Sequence, residues 1–291
     1  MRAGLGAGLG AYILWGFLPL LFHWLEQVGS VSIVANRTVW SLLFVGAILV
    51  ARRRMGEVKA ALADPATLRS MIISSVLLAG NWLLYVWAVE AGQVLEASFG
   101  YFINPLVNVA IGMVFLGERQ NRWQLVSIGI AVVAIFVQWL AIGHVPFIAL
   151  GLALSFGFYG FFRKTAKVNS AGGLFVETLV LMPLALLYLA YVFARDHGPG
   201  AMAEPVNLAL LILTGPATAI PLLLFAYAVQ RLRLTTIGML QYIGPSIQFL
   251  LAISVLGEPI TATQLLSFAL IWLSLMVYSA DSVIRRRAAT A

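Results

Sequence analysis

The stretch Ile103-Asn104-Pro105-Leu106-Val107-Asn108, followed by Leu116-Gly117-Glu118 and by Gln124-Leu125-Val126-Ser127, returns 140 residues later. The second copy reads Ile243-Gly244-Pro245-Ser246-Ile247-Gln248, then Leu256-Gly257-Glu258, then Gln264-Leu265-Leu266-Ser267. Matched leucines mean little in an apolar chain. A proline inside an apolar run, a Gly-Glu pair at its end and a Gln-Leu-x-Ser run mean more. The same offset sets Leu83, Leu84, Ala88 and Val89 against Leu223, Leu224, Ala228 and Val229. A slightly larger offset sets Trp15-Gly16-Phe17 against Tyr159-Gly160-Phe161. The sequence therefore reads as two related halves, residues 1–140 and 141–291.

What surrounds the repeat is lipid-soluble. Of 291 residues, 62% are hydrophobic and 10% charged, and the mean hydropathy is +0.96. A soluble domain is roughly 45–50% apolar and roughly 25% charged. So short a chain cannot hide this apolar surface in a globular core, whereas a bilayer can solvate it. This excludes a water-soluble enzyme, a disordered chain and a nucleic-acid binder. The absence of cysteine excludes disulfides and thiolate metal sites.

Runs of about 20 mainly apolar residues, the length that crosses a bilayer, number ten. They are residues 4–25, 32–51, 68–90, 94–116, 122–140, 146–163, 173–194, 206–228, 236–256 and 262–280. Lys and Arg accumulate on the cytoplasmic side. With the N-terminus inside, 16 of the 18 basic residues fall in cytoplasmic segments, the exceptions being Arg37 within the second span and Arg195 outside. Ten spans with both termini cytoplasmic follow. The first span could also be read as a signal peptide. It lacks a small-x-small cleavage site and has a counterpart in the sixth span, so it is kept as a span.

Five spans per half is an odd number, so the second half enters the membrane from the opposite side. The expected fold class is an all-α integral membrane protein of ten transmembrane helices in two inverted five-helix repeats. Inverted halves are common in secondary transporters, with the substrate site near the midplane between them. One packing exchanged between halves gives two states of similar energy, open to opposite sides. Duplication retained for stability alone is the competing explanation.

The paired five-span halves, Trp15-Gly16, Arg37, Asn104-Pro105 and Gly117-Glu118 resemble the drug/metabolite transporter superfamily, EamA type. Three runs resemble its RarD branch: Gly80-Asn81-Trp82-Leu83-Leu84, the segment from Leu95 to Asn108, and Gln241-Tyr242-Ile243-Gly244-Pro245. The resemblance covers essentially the whole chain. It implies a ten-span permease for amino acids, other metabolites or drugs. The RarD branch is linked to chloramphenicol sensitivity and stands near the aromatic amino-acid exporters called YddG.

Polar intramembrane residues are the candidates for transport. In the fourth span Tyr101, Asn104 and Asn108 are spaced three then four, on one helix face. Pro105 among them removes a backbone hydrogen bond. The ninth span mirrors this with Gln241, Gly244 and Gln248 around Pro245. Two mirrored helix breaks with polar stripes suggest a central cavity, although Asn and Gln also serve simply to join helices. Aromatic candidates are Tyr12 and Trp15 of the first span, Trp82 and Tyr85 beside Asn81 in the third, Phe158 and Tyr159 in the sixth, and Tyr242. Such rings supply area, and their polar tips fix orientation. Trp24, Trp123, Trp139 and Tyr278 read instead as interface anchors.

Arg37 and Glu177 are the ionisable residues placed well inside spans, and the repeat aligns them. Inversion should put them at opposite faces, so they are expected to bond locally or to form gates rather than to pair. Gly117-Glu118 and Gly257-Glu258 read as glycine-terminated helix ends. Gly4, Gly6, Gly8 and Gly10 suggest close packing of the first helix. No P-loop is present. His23, His144 and His197 form no metal cluster. No metal, no cofactor and no enzymatic activity are expected. The partners are a small-molecule substrate and the bilayer, with no nucleic acid, and the chain is expected to be a monomer. Export of amino acids ranks first, drug efflux second, and a membrane enzyme or scaffold third.

Overall fold

A computed structural model describes residues 2–91, 93–254 and 261–288. The elements are α1 (Arg2–His23), α2 (Ser30–Ala51), α3 (Met55–Ala63), α4 (Pro65–Glu90), α5 (Val94–Phe115), α6 (Arg122–Ile142), α7 (Phe147–Thr165), α8 (Ser170–Arg195), α9 (Pro205–Val229), α10 (Leu234–Gln241), α11 (Ile243–Ser254) and α12 (Ala262–Ala288). Among the described residues there is no strand. Eight of these helices are long and apolar enough to cross a bilayer, and α5 carries a shorter apolar run, Phe99–Phe115. α10 and α11 together occupy the ninth expected span. Large apolar side chains such as Leu140, Leu187 and Ile284 cover the outside of the bundle, as lipid demands.

The packing is two-fold. α5 lies on α7, and its counterparts α10 and α11 lie on α1. α4 on α7 is matched by α9 on α1, and α4 on α8 by α9 on α2. The pairs α2–α8, α5–α10 and α6–α12 are their own counterparts. Exchanging the halves thus reproduces these helix contacts, and an odd number of crossings per half makes the repeat inverted. At the α6–α12 seam Ser127 Oγ donates to the Ser274 carbonyl at 2.8 Å, and Ser274 Oγ returns the bond to the Ser127 carbonyl at 2.8 Å.

Three details depart from the sequence expectations. First, the prolines do not act alike. α5 runs unbroken through Pro105. A proline removes only one hydrogen bond, and the other turns hold that helix. In the ninth span the helix stops at Gln241 and restarts at Ile243. Pro245 has no N–H for the Gln241 carbonyl, and Gly244 beside it further weakens the helix.

Second, the connection between the second and third spans holds α3. This helix buries Val58 and Ala61 and packs on α8. Glu57 accepts a hydrogen bond from Asn169, the N-cap of α8. Burial opposes ionisation of Glu57, but hydrogen bonds from Arg54 and Asn169 hold its carboxyl below the usual carboxylate range.

Third, Tyr278 is no interface anchor. It is buried and shares a 3.0 Å hydrogen bond with Thr236, whereas Trp24, Trp123 and Trp139 are exposed. Of the α1 glycines, Gly4 and Gly8 face Leu232 and Leu240 closely, and Gly6 meets nothing.

Candidate functional site

The core between the halves is an aromatic cluster. Tyr12 and Trp15 of α1 meet Phe156 and Tyr159 of α7 around Phe225 of α9. Trp15 lies 5.6 Å from Tyr12, 5.9 Å from Phe156 and 5.7 Å from Phe225, centroid to centroid. Tyr159 stacks on Phe225 at 5.9 Å. The repeat-related Trp15 and Tyr159 are therefore brought into one cluster. Phe158 is not in it; it packs edge-on at 5.7 Å against Phe115, which is exposed on the bundle surface. Phe156, one helical turn before Tyr159, takes the inner place. Sequence reasoning missed Phe156 and Phe225, since nothing marks one Phe among 17.

The polar stripes of α5 and the α10–α11 span meet where the halves cross. Asn108 Nδ2 donates to Gln241 Oε1 at 2.7 Å. Gln248 turns away, donating from Nε2 to the Trp15 carbonyl at 3.2 Å. Four polar atoms in this region are buried and carry no hydrogen bond: the hydroxyls of Tyr12 and Tyr242, and Oδ1 of Asn104 and of Asn108. Asn81 ties α4 to α7, donating to the Leu152 carbonyl and to Ser155 Oγ, both at 2.9 Å. Tyr101 leaves the buried stripe. It is 40% exposed and faces Tyr85 with ring centroids 6.1 Å apart.

Arg37 on α2 is buried. Its Nε donates to Thr218 Oγ1 of α9 at 3.1 Å, and its guanidinium lies 4.3 Å from the Trp82 ring and 5.5 Å from the Phe22 ring. Tyr85 and Tyr101 lie within electrostatic reach of it. Glu177 on α8 is fully buried. Ser74 Oγ donates to its Oε1 at 2.6 Å, Tyr159 OH approaches Oε2 at 3.4 Å, and Arg163 Nη1 stands 3.6 Å from Oε1. Arg163, fully buried, also donates from Nη2 to the Ser170 carbonyl at 3.1 Å. Gly173 makes room for it, since a Cβ there would sit 1.8 Å from Nη1. Arg37 and Glu177 thus keep separate partners. In the sequence Arg163 reads as one of the cytoplasmic loop charges, and nothing there distinguishes it from its neighbour Lys164.

The end of the bundle that carries the basic residues is tied across the halves. α5 ends before Gly117, which has φ +63°. Glu118 then caps the start of α10, accepting from the Leu234 and Thr235 backbone N–H groups at 2.6 and 3.0 Å and from Thr235 Oγ1 at 2.7 Å. Gln120 Nε2 adds a 2.7 Å bond to Thr235 Oγ1. The repeat partner Gly257-Glu258 lies outside the described residues. Among the described residues, the open clefts include two. One, about 250 Å³, lies at the basic end among Glu57, Asp64, Thr67 and Lys167. The other, about 160 Å³ and apolar, lies between α2, α4 and α8 and touches Trp82 and Thr38. Asn104 and Gln241 line neither. Among the described residues no group of His, Asp and Glu could hold a metal ion.

A ten-segment, two-fold bundle with polar groups at the crossing of its halves defines a class of membrane carrier, and the comparisons agree. The model of the EamA-like transporter family matches this chain twice, over residues 2–140 and 145–280, and the chain belongs to that family, within the drug/metabolite transporter superfamily. Relatives named RarD match it over nearly its full length and place it in the RarD branch. It is 44% identical to "Protein RarD" of Salmonella typhi over 98% of this chain and 97% of that protein. It is 40% identical to "Protein RarD" of Escherichia coli, strain K12, with the same coverage. It is 31% identical to the "Chloramphenicol-sensitive protein RarD" of Pseudomonas aeruginosa over 96% of this chain and 94% of that protein. A crystal structure matches with a TM-score of 0.74 over 99% of this chain and 98% of its own, at 18% identity, which shows a shared fold. The chain is a multi-pass membrane transporter of a bacterial family.

Proposed function

We propose that this transporter exports small amphipathic metabolites, amino acids including aromatic ones first among them, by alternating access between its halves. In this reading it works as a monomer in the inner membrane, with both termini in the cytoplasm. The halves, residues 1–140 and 141–291, are the bodies that rock. The observation that carries the reading is the set of unpartnered polar atoms on Tyr12, Asn104, Asn108 and Tyr242 beside the Asn108–Gln241 bond. Each buried polar atom without a partner costs about 1–3 kcal/mol. A solute carrying donors and acceptors offsets that cost as it binds. The aromatic cluster beside them supplies flat apolar area for the rest of the solute.

The cross-links at the basic end, Glu118 to α10 above all, hold that end shut in this conformation. With the basic end cytoplasmic, those bonds break when the carrier opens inward. Purified protein in liposomes should show saturable counterflow of labelled phenylalanine. Absence of flux across a panel of amino acids and drugs, together with any bond-making activity, would overturn the reading. Chloramphenicol belongs in that panel, because the Pseudomonas aeruginosa relative carries its name; saturable flux of chloramphenicol alone would favour drug efflux.

A further inference from the structure

Arg37 has a partner problem that its repeat mate Glu177 does not. Glu177 has Arg163 at 3.6 Å. Among the described residues Arg37 has no carboxylate within ion-pairing distance, and Nε to Thr218 is its one hydrogen bond. An arginine inside a membrane segment costs about 2.5–3.5 kcal/mol on the insertion scale, and such residues pair or mark a substrate path. Thr218 satisfies one of five N–H donors. The Trp82 and Phe22 faces hold the cation by its charge but accept no conventional hydrogen bond. Neither Nη group has a hydrogen bond to the described residues, and the two together have the planar fork that matches a carboxylate in a bidentate pair. The side chains in contact with the guanidinium are flat, Trp82 and Phe22; one helical turn beyond Trp82 stands Tyr85, tilted against Tyr101 at 6.1 Å, both within electrostatic reach of the cation.

We propose that Arg37 is the anion anchor of the substrate site. The site takes an aromatic or similarly flat apolar carboxylate, with the carboxylate on the guanidinium fork and the ring against Tyr85 and Tyr101. An amino group on the ligand is dispensable. This rests on the transport reading above and narrows its substrate class. Neutral and cationic amphiphiles of the same size are rejected, because they leave the buried cation unpaired.

The test uses ligand-dependent melting of the purified full-length protein, with four probes of one ring size: 3-phenylpropionate, L-phenylalanine, phenethylamine and L-phenylalaninamide. The first two should raise the melting temperature saturably and the last two should not. Arg37→Gln should weaken 3-phenylpropionate by about tenfold or more, as loss of a charge-assisted bidentate pair does, and Arg37→Lys should retain part. If Arg37→Gln fails to fold, Tyr101→Leu decides. Tyr101 is 40% exposed, so the fold tolerates its loss while the aromatic acids bind several-fold more weakly. Equal protection by amine and acid, or an acid preference untouched by both Arg37→Gln and Tyr101→Leu, would overturn the proposal. Counterflow of the same probes in liposomes separates it from the reading beneath it. Flux with no preference for the acids would keep the transporter and remove the anchor. Acid-selective melting with no flux would keep the anchor and remove the export reading.

Discussion

Arg37 and Glu177 stand at the same place in their respective helices, each seven residues past the first, Ser30 in α2 and Ser170 in α8. Each reaches across to the other half for a hydroxyl: Arg37 to Thr218 of α9, Glu177 to Ser74 of α4, which are equivalent helices. There the symmetry ends. Around Glu177 the chain supplies its own counter-charge, Arg163, and carves space for it at Gly173. Around Arg37 it supplies aromatic faces instead. The inverted repeat fixes position and depth, while the neighbours decide whether a buried charge is neutralised internally or left to meet something else. At Glu177 the charge is paired within the chain; at Arg37 it is faced by aromatic rings and one hydroxyl.

The largest effect is expected where the lock is opened one-sidedly. Arg163→Met leaves the Glu177 carboxylate buried without its cation, and breaking a buried pair in this way costs about 3–5 kcal/mol. Arg163→Met combined with Glu177→Gln removes both charges and should recover most of that loss. The check is thermal melting of the two variants side by side. A double variant as unstable as the single one would show that packing around Arg163, not charge, holds α4, α7 and α8 together. Gly173→Ala should reproduce the single variant without touching either charge, because its methyl occupies the place of Arg163 Nη1. Unchanged melting of Gly173→Ala would mean that the guanidinium has another seat.

A smaller effect is expected at the crossing of the halves. Gln241→Leu removes the bond to Asn108, and interhelical polar contacts in membranes are worth about 1 kcal/mol. Stability should fall by about that amount, with expression and insertion intact, while flux falls much further. Asn104→Leu, which removes an acceptor that has no partner, should lower flux without lowering stability. Normal flux in both variants would reduce the polar stripe to packing.

Much of this was legible in the sequence, for a physical reason. A bilayer forces every backbone polar group to be satisfied within a helix, so spans appear as long apolar runs. Duplication appears in the few residues that are not leucine. Legibility failed where a residue's meaning depends on a neighbour distant in sequence. Arg163 and Lys164 are adjacent cations at a helix end, yet one is buried beside Glu177 while the other reaches the Val229 and Leu232 carbonyls. Tyr278, near a span end, resembled an anchor until Thr236 was placed beside it. Pro105 and Pro245 carried the same local signal, and only the glycine next to Pro245 hinted that one helix would be interrupted and the other not. The nine residues of α3 were too few and too charged to stand out among the spans.

The smallest stability effect is expected at Arg37, and it is the sharpest use of the comparison. Removing Glu177's partner orphans a buried charge; removing Arg37 orphans none among the described residues, where no acid pairs with it. Arg37→Gln gives up a bond to a neutral hydroxyl and two cation–π contacts, terms of about 1 kcal/mol each, and sheds the cost of holding a cation in a membrane segment. These oppose one another, so melting without ligand should move little compared with Arg163→Met. The expectation from sequence, that Arg37 bonds locally, allows the opposite outcome, a residue whose loss harms folding more than affinity. A melting loss as large as that of Arg163→Met would restore that assignment. It would also make the two ends of the bundle alike, each braced by its own buried charge.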